Sequence, residues 1–223
     1  MKQFHQFKRK YPDCILFFRM GDFYETFYED AEVCSRVCGL ALTSRSKGDN
    51  PIPLAGVPYH AVEGYLKKML QAGYKVAVCE QVEDPKTAKG VVKRDIVRIV
   101  TPGTLTDDIL LNAKEDNFLC AVSLGTKQEG AISWVDISTG HFFTQKLPEK
   151  NLLDELLRLS PAECLLADRR GELFEAETRK LAKDVAQLTK ATITERPAWY
   201  FDPYQARQRL LKHFGTTTLE GFG

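Results

Sequence analysis

Cys14-Ile15-Leu16-Phe17-Phe18 is an unbroken apolar run of strand length. A strand with one wet face carries a polar residue at every second position. This run carries none, which is the pattern of a strand buried on both faces and hence of a sheet covered on two sides. The segments around it supply candidate layers. Residues 2–10 are polar and basic with Phe4 and Phe7 three apart, the spacing of a short one-faced helix. Gly21-Asp22 breaks the apolar run. Phe23, Phe27, Ala31, Cys34 and Cys38 then recur at spacings of three and four, which predicts a helix over 22–38. Asp22 would be its N-cap, and Glu25, three positions later, would complete a capping box. Leu40 to Thr43 reads as a short strand, and Ser44 to Pro51 as a polar loop carrying Arg45 and Lys47. Ile52 to Ala55 reads as a strand before a turn at Gly56-Val57-Pro58. Residues 61–72 read as an amphipathic helix stopped by Gly73, and Tyr74–Val82 and Val91–Val100 as strands.

Thr101-Pro102-Gly103-Thr104 is the clearest punctuation in the chain. The charge balance changes sign there: residues 1–101 carry +4 and residues 102–223 carry −3, within a net charge of +1. We therefore read two domains, 1–103 and 117–223, joined by a linker over 104–116. The second half opens with three strands, Phe118–Leu124, Ala131–Ser138 and His141–Leu147, joined by glycine-containing turns as in a meander. Helix and strand then alternate: helix 150–159, strand Ala162–Ala167, helix 171–183, strand Thr192–Glu195, helix 203–214. The predicted class is α/β, with a mixed sheet in the first domain and a ribonuclease H-like layout in the second.

Several function classes are excluded. Hydrophobic residues make up 43% and charged residues 27%, so the chain is neither a disordered tail nor a disulfide-rich miniprotein. No apolar run approaches the roughly 20 residues that span a bilayer, and residues 1–8 lack the apolar stretch of a secretory signal. The six cysteines form no Cys-x-x-Cys pair and read as small apolar packing residues of a reduced, cytoplasmic protein. The four scattered histidines give no zinc spacing. There is no phosphate-binding loop, and the dipeptide Gly-Lys does not occur. Neither half is dense enough in Lys and Arg to bind nucleic acid by charge alone, although the first half is the better suited to meet phosphate.

Phe17-Phe18-Arg19-Met20-Gly21-Asp22-Phe23-Tyr24-Glu25-Thr26-Phe27 resembles the mismatch-reading segment of the DNA mismatch repair MutS family. Further segments resemble that family in the right order. They are Pro53-Leu54-Ala55-Gly56-Val57-Pro58-Tyr59-His60-Ala61, Cys79-Glu80-Gln81-Val82-Glu83-Asp84-Pro85, Arg98-Ile99-Val100-Thr101-Pro102-Gly103-Thr104 and Asp136-Ile137-Ser138-Thr139-Gly140. The resemblance covers essentially the whole chain. It implies a mismatch-binding domain followed by a connector, clipped at both ends and without the lever, clamp and ATPase regions of the longer family proteins. It further implies that Phe23 wedges beside a mispair, that Glu25 hydrogen-bonds a base and that Arg45 contacts DNA. Lys47 and Met20 are further candidate DNA-contacting positions; by themselves Arg45 and Lys47 read as solvated charges and Met20 as a core gap-filler. Mismatched double-stranded DNA is the implied ligand, and MutL the implied partner of the connector. ATP and Mg²⁺ are implied only for the missing ATPase, so no cofactor is expected here, and a homodimer only for the full-length protein. Lys67-Lys68 and Lys93-Arg94 read as solvated faces.

Periodicity alone argues otherwise for Phe23, which lies on the apolar stripe of the expected helix and would be core. A second reading of the whole is an enzyme. Asp136 on a strand, Glu155 on the next helix and Asp168 at a strand end are the ingredients of a ribonuclease H-like, metal-dependent nuclease. Against it, Asp136 reads as a turn residue beside Ser138-Thr139-Gly140 and the other two as solvated, and the resemblance implies that the connector is a non-catalytic relative of that fold.

Overall fold

The apolar run lies inside strand β1, Cys14–Met20, whose first five residues are all buried. The computed structural model describes residues 1–46, 50–83, 90–105, 116–171 and 175–222. The chain divides into two compact units, Met1–Asn117 and Phe118–Gly223. Residues 106–115, most of the expected linker, lie outside the described residues.

In the first unit, helix α1 (Lys2–Lys10) precedes β1. Then follow strand β2 (Phe23–Phe27), helix α2 (Glu29–Cys38), strands β3 (Thr43–Ser44) and β4 (Pro53–Pro58), helix α3 (Val62–Gln71), and strands β5 (Lys75–Gln81) and β6 (Arg94–Val100). The six strands form one sheet in the order β3-β4-β2-β1-β5-β6. Only β1 and β5 pair in parallel; the other neighbours are antiparallel, so the sheet is mixed as expected. One face is covered by α2 and α3: Ile15, Phe17, Tyr24, Val76 and Val78 pack with Cys34, Leu66 and Met69. The other face is covered by α1, where Phe4 meets Phe18 and Phe27 edge-on at 5.9 and 5.0 Å. Asp30 locks this layer to the sheet. Its carboxylate accepts from Lys8 Nζ at 2.7 Å and from the Leu16 amide at 3.0 Å.

The expected helix over 22–38 is corrected. Gly21 adopts φ +60°, with Asp22 at ordinary negative φ, and this two-residue turn closes a hairpin with Met20 opposite Phe23. Residues 23–25 then pair with β1 on one side and residues 23–27 with β4 on the other, a gain of two hydrogen-bonded ladders that outweighs the helical spacing. The helix starts only at Glu29, with Glu29, Asp30 and Glu32 at its positive end, and stops at Gly39 in the left-handed region. Asp22 is thus no N-cap, and there is no capping box at Glu25. The expected turn at Gly56-Val57-Pro58 is also strand, because β4 runs on to Pro58 as the partner of β2.

The second unit contains β7 (Phe118–Leu124), β8 (Glu129–Asp136), β9 (His141–Pro148), α4 (Leu152–Leu159), β10 (Glu163–Asp168), α5 (Glu175–Leu188), β11 (Thr192–Pro197) and α6 (Pro203–Phe214). The sheet order is β11-β10-β7-β8-β9. β7 to β9 form an antiparallel meander, and β10 and β11 add in parallel on the other side of β7. This is the expected ribonuclease H-like layout. Leu152, Leu156 and Leu159 of α4 and Val185 of α5 cover one face, against Cys120, Val122, Ile132, Cys164 and Leu166. All six cysteines are buried and unpaired, packing as apolar residues.

Candidate nucleic-acid interface

Register decides what the β1–β2 hairpin presents. Met20 faces Phe23, and Phe18 faces Glu25, so these side chains share the α1 face with Phe27, while Arg19, Tyr24 and Thr26 take the opposite face. Along β2 the exposure on the α1 face rises toward the tip. Phe27, under Phe4, is 1% exposed; Glu25 is half-buried; Phe23 is 47% exposed. The Phe23 ring rests against the backbone of β4, where a Cβ on Gly56 would stand 3.4 Å from its Cδ1. The stripe position that argued for a core role is thereby overturned, since β2 and α2 are separate elements.

Glu25 is set among cations. Arg45 Nη1 lies 3.7 Å from its Oε2, and the same guanidinium stands 5.4 Å from the Phe27 ring and 3.8 Å from Met1 Sδ. Burial pushes the Glu25 carboxyl above its ordinary value, and the charges of Arg45 and Arg94 only partly offset it. A half-buried carboxyl held in this way can accept a hydrogen bond or, when protonated, donate one.

Arg94 corrects the reading of Lys93-Arg94 as a solvated face. Lys93 is exposed, but Arg94 is buried. Its Nε donates to the Arg19 carbonyl at 2.7 Å and its Nη1 to the Val92 carbonyl at 2.9 Å. Its Nη2 lies 3.4 Å from Met20 Sδ, with the guanidinium 5.0 Å from the Phe18 ring. In the pairing of β6 with β5, Arg94 stands opposite Gln81 and Ile96 opposite Cys79, so Arg94 shares the inward face with Ile96. Met20 is half-buried, packed against the α1-side core and in contact with Arg94. Lys47 lies outside the described residues. The structure thus brings Phe23, Glu25, Arg45 and Met20 to one face of one hairpin end.

The three carboxylates of the nuclease reading are not brought together. Asp136 is the buried last residue of β8, and its Oδ1 holds the turn that follows, accepting from the Ser138 amide at 2.9 Å, the Ser138 hydroxyl at 2.6 Å and the Thr139 amide at 3.3 Å. Glu155 pairs with Arg158 one helical turn on. Asp168 is held by Arg170 through two bonds of 2.9 and 2.6 Å, which draw its carboxyl down to about 2. Among the described residues no group of three His, Cys, Asp or Glu side chains could hold a metal ion. No helix among them is long and apolar enough to cross a membrane.

The family comparison matches the two α/β units separately. The model for MutS domain I matches residues 1–109, and the model for MutS domain II matches residues 117–223. The chain belongs to the MutS family, as its first two domains in order, and with that membership comes a role in DNA mismatch repair.

Proposed function

We propose that the first unit reads mismatched double-stranded DNA by inserting the Phe23 ring beside the mispair. The observation that carries this is the exposure of Phe23 at a braced hairpin tip, while the next aromatic on the same face is fully enclosed. A ring entering from the minor groove stacks on one base and unstacks its neighbour, kinking the duplex. Base–aromatic stacking returns about 1–3 kcal/mol. Unstacking costs a few kcal/mol, and less at a mispair because that pair is already weakened. Selectivity then follows the deformability of the step more than the identity of the base. Glu25, two residues on and on the same face, is the group that hydrogen-bonds the displaced base, and burial, by raising its pKa, makes the protonated, donating form easier to reach. Arg45 supplies positive charge beside it, with Lys47 and Met20 as further contacts.

The second unit acts as a connector that recruits MutL and relays DNA binding to an ATPase region. Its net charge of −3 over residues 102–223 fits a protein partner better than DNA. Neither unit requires a cofactor in this scheme, since ATP and Mg²⁺ serve the ATPase, and homodimerisation belongs to the full-length protein.

Fluorescence anisotropy with a duplex carrying one G·T mispair, against its matched parent, tests the reading. We expect weak binding with a shallow salt slope, because the first half carries only +4. We also expect a preference for the mispair that disappears in Phe23→Ala. Equal preference in the variant would sink the wedge. MutL pull-down by the same chain tests the connector role separately.

A further inference from the structure

We propose that Arg19 is a positioning residue for the Phe23 ring, acting through the Gly21–Asp22 turn; this rests on the reading of Phe23 as the wedge. Arg19 continues the inward-facing series Ile15, Phe17 on β1, yet it is a cation where that series is apolar. It points to the face opposite Phe23 and cannot itself lie beside that ring. Its guanidinium lies 3.5 Å from the centre of the Tyr59 ring and 5.4 Å from that of Tyr24. Its Nη1 stands 3.7 Å from Glu80 Oε2, and the other oxygen of Glu80 accepts from the Tyr24 hydroxyl. Its side chain is only 16% exposed.

This fixed guanidinium grips the turn. Arg19 Nε donates to the Gly21 carbonyl at 2.5 Å, and the Tyr59 amide donates to the Asp22 carbonyl at 2.9 Å. From the other face, Arg94 Nε holds the Arg19 carbonyl. Both carbonyls of the two-residue turn are therefore held, that of Gly21 by a side chain of β1 and that of Asp22 by the backbone just beyond β4. The need for this follows from the load. The β1–β2 ladder has three paired positions, Phe18–Glu25, Arg19–Tyr24 and Met20–Phe23, and the ring sits at the last of them. A ring that must unstack base pairs is pressed back with an energy similar to the stacking that it gains. A tip free to bend would yield instead of opening the DNA. Arg19 supplies in one planar group an Nε donor to the turn, a flat face for Tyr59 and a charge for Glu80; a lysine supplies only the charge.

The test uses the whole chain with Arg19→Ala and Arg19→Lys, and Phe23→Ala as the reference. Proton NMR reads the ring-current shift that Phe23 imposes on the Gly56 α-protons, and hydrogen exchange reads the Tyr59 amide. Anisotropy reads affinity for a G·T duplex and for its matched parent. Both Arg19 variants should move the Gly56 shift most of the way to its Phe23→Ala value. Tyr59 exchange should quicken about tenfold, the scale of one lost charge-assisted hydrogen bond, while amides of the β1–β5 ladder keep their protection. The mismatch-to-matched ratio should fall toward one with matched-duplex affinity retained. An unchanged Gly56 shift, full rescue by Lys, or loss of protection throughout the unit would each overturn the proposal. Should Phe23→Ala itself leave the ratio unchanged, the wedge reading fails, and the Gly56 and Tyr59 readouts still decide whether Arg19 positions the ring.

Discussion

Phe23→Ala separates a wedge from a core residue by magnitude. Complete burial of a phenylalanine side chain is worth about 1.5–3 kcal/mol. With 47% of Phe23 exposed, roughly half of that, about 1 kcal/mol, is at stake in the folded protein. No cavity follows, because the ring lies on Gly56 and is not enclosed. Phe27 supplies an internal standard: it is on the same strand and face, 1% exposed and packed edge-on to Phe4 at 5.0 Å. Phe27→Ala leaves a hole in a closed layer and should cost about 3–5 kcal/mol. At about 4 °C per kcal/mol for a unit of this size, the two variants should differ in melting temperature by roughly 10 °C. Calorimetry of both variants beside the parent chain, together with the mismatch-to-matched affinity ratio, completes the assay. Phe23→Ala should melt close to the parent and lose the preference. A melting loss as large as that of Phe27→Ala, with the preference intact, would refute the reasoning.

Glu25 gives a pH signature. Its folded pKa lies above the ordinary 4.5 because burial outweighs Arg45 and Arg94, so the folded form holds the proton more tightly than the unfolded form. The stability of the parent relative to Glu25→Gln should be greatest below the unfolded carboxylate range and should decline as pH rises through the raised value; urea melts showing a flat or rising difference would contradict this. Arg94→Ala removes charged donors from the Arg19 and Val92 carbonyls and should cost about 2–3 kcal/mol by denaturant unfolding, whereas exposed Lys93→Ala should stay within about 0.5 kcal/mol. Equal effects would mean that Arg94 is a surface residue after all. In the second unit, a Cβ on Gly130 would stand 2.7 Å from Cδ1 of fully buried Leu152. Gly130→Ala should therefore destabilise that unit by about 1–3 kcal/mol in a thermal melt, and no change would show that α4 can shift to admit a methyl group.

The layers of the fold were legible because burial writes itself into period and run length. The two-sided strand at 14–18, the helices after residues 61 and 202 and the meander from Phe118 lie within a few residues of where the sequence places them. The misreadings share one cause. Phe23, Phe27, Ala31, Cys34 and Cys38 satisfy a helical period, but Phe23 and Phe27 also satisfy a strand period of two. Gly21 at φ +60° and the two flanking partner strands decide between them. Pairing partners are distant in sequence, so no local window contains that information. Arg94 was misplaced for a similar reason. Next to Lys93 it reads as a charged pair, and only the pairing of β6 with β5 turns one member inward. The wedge and base-bonding roles proposed for Phe23 and Glu25 rest on resemblance, because spacing and charge carried no trace of them.

The exposure of Phe23 follows from a mismatch of lengths on its face of the sheet. Helix α1 runs opposite to β1: Met1, at its start, reaches Arg45, and Gln3 bonds the backbone of Arg94, while Lys8 reaches the carbonyl of Cys14. Nine helical residues span about 13 Å at 1.5 Å each. The seven residues of β1 span about 23 Å at 3.3 Å each. A helix of that length covers about four strand steps, which is the five-residue stretch from Cys14 to Phe18 that packs under Phe4 and Phe7. Met20, and Phe23 opposite it, fall beyond the cover. Arg94 comes in from β6 to shield Met20, and nothing among the described residues does the same for Phe23. The same sheet that buries Phe18 and Phe27 thus delivers a rigidly backed aromatic ring at its uncovered end, at the point where a duplex could meet it.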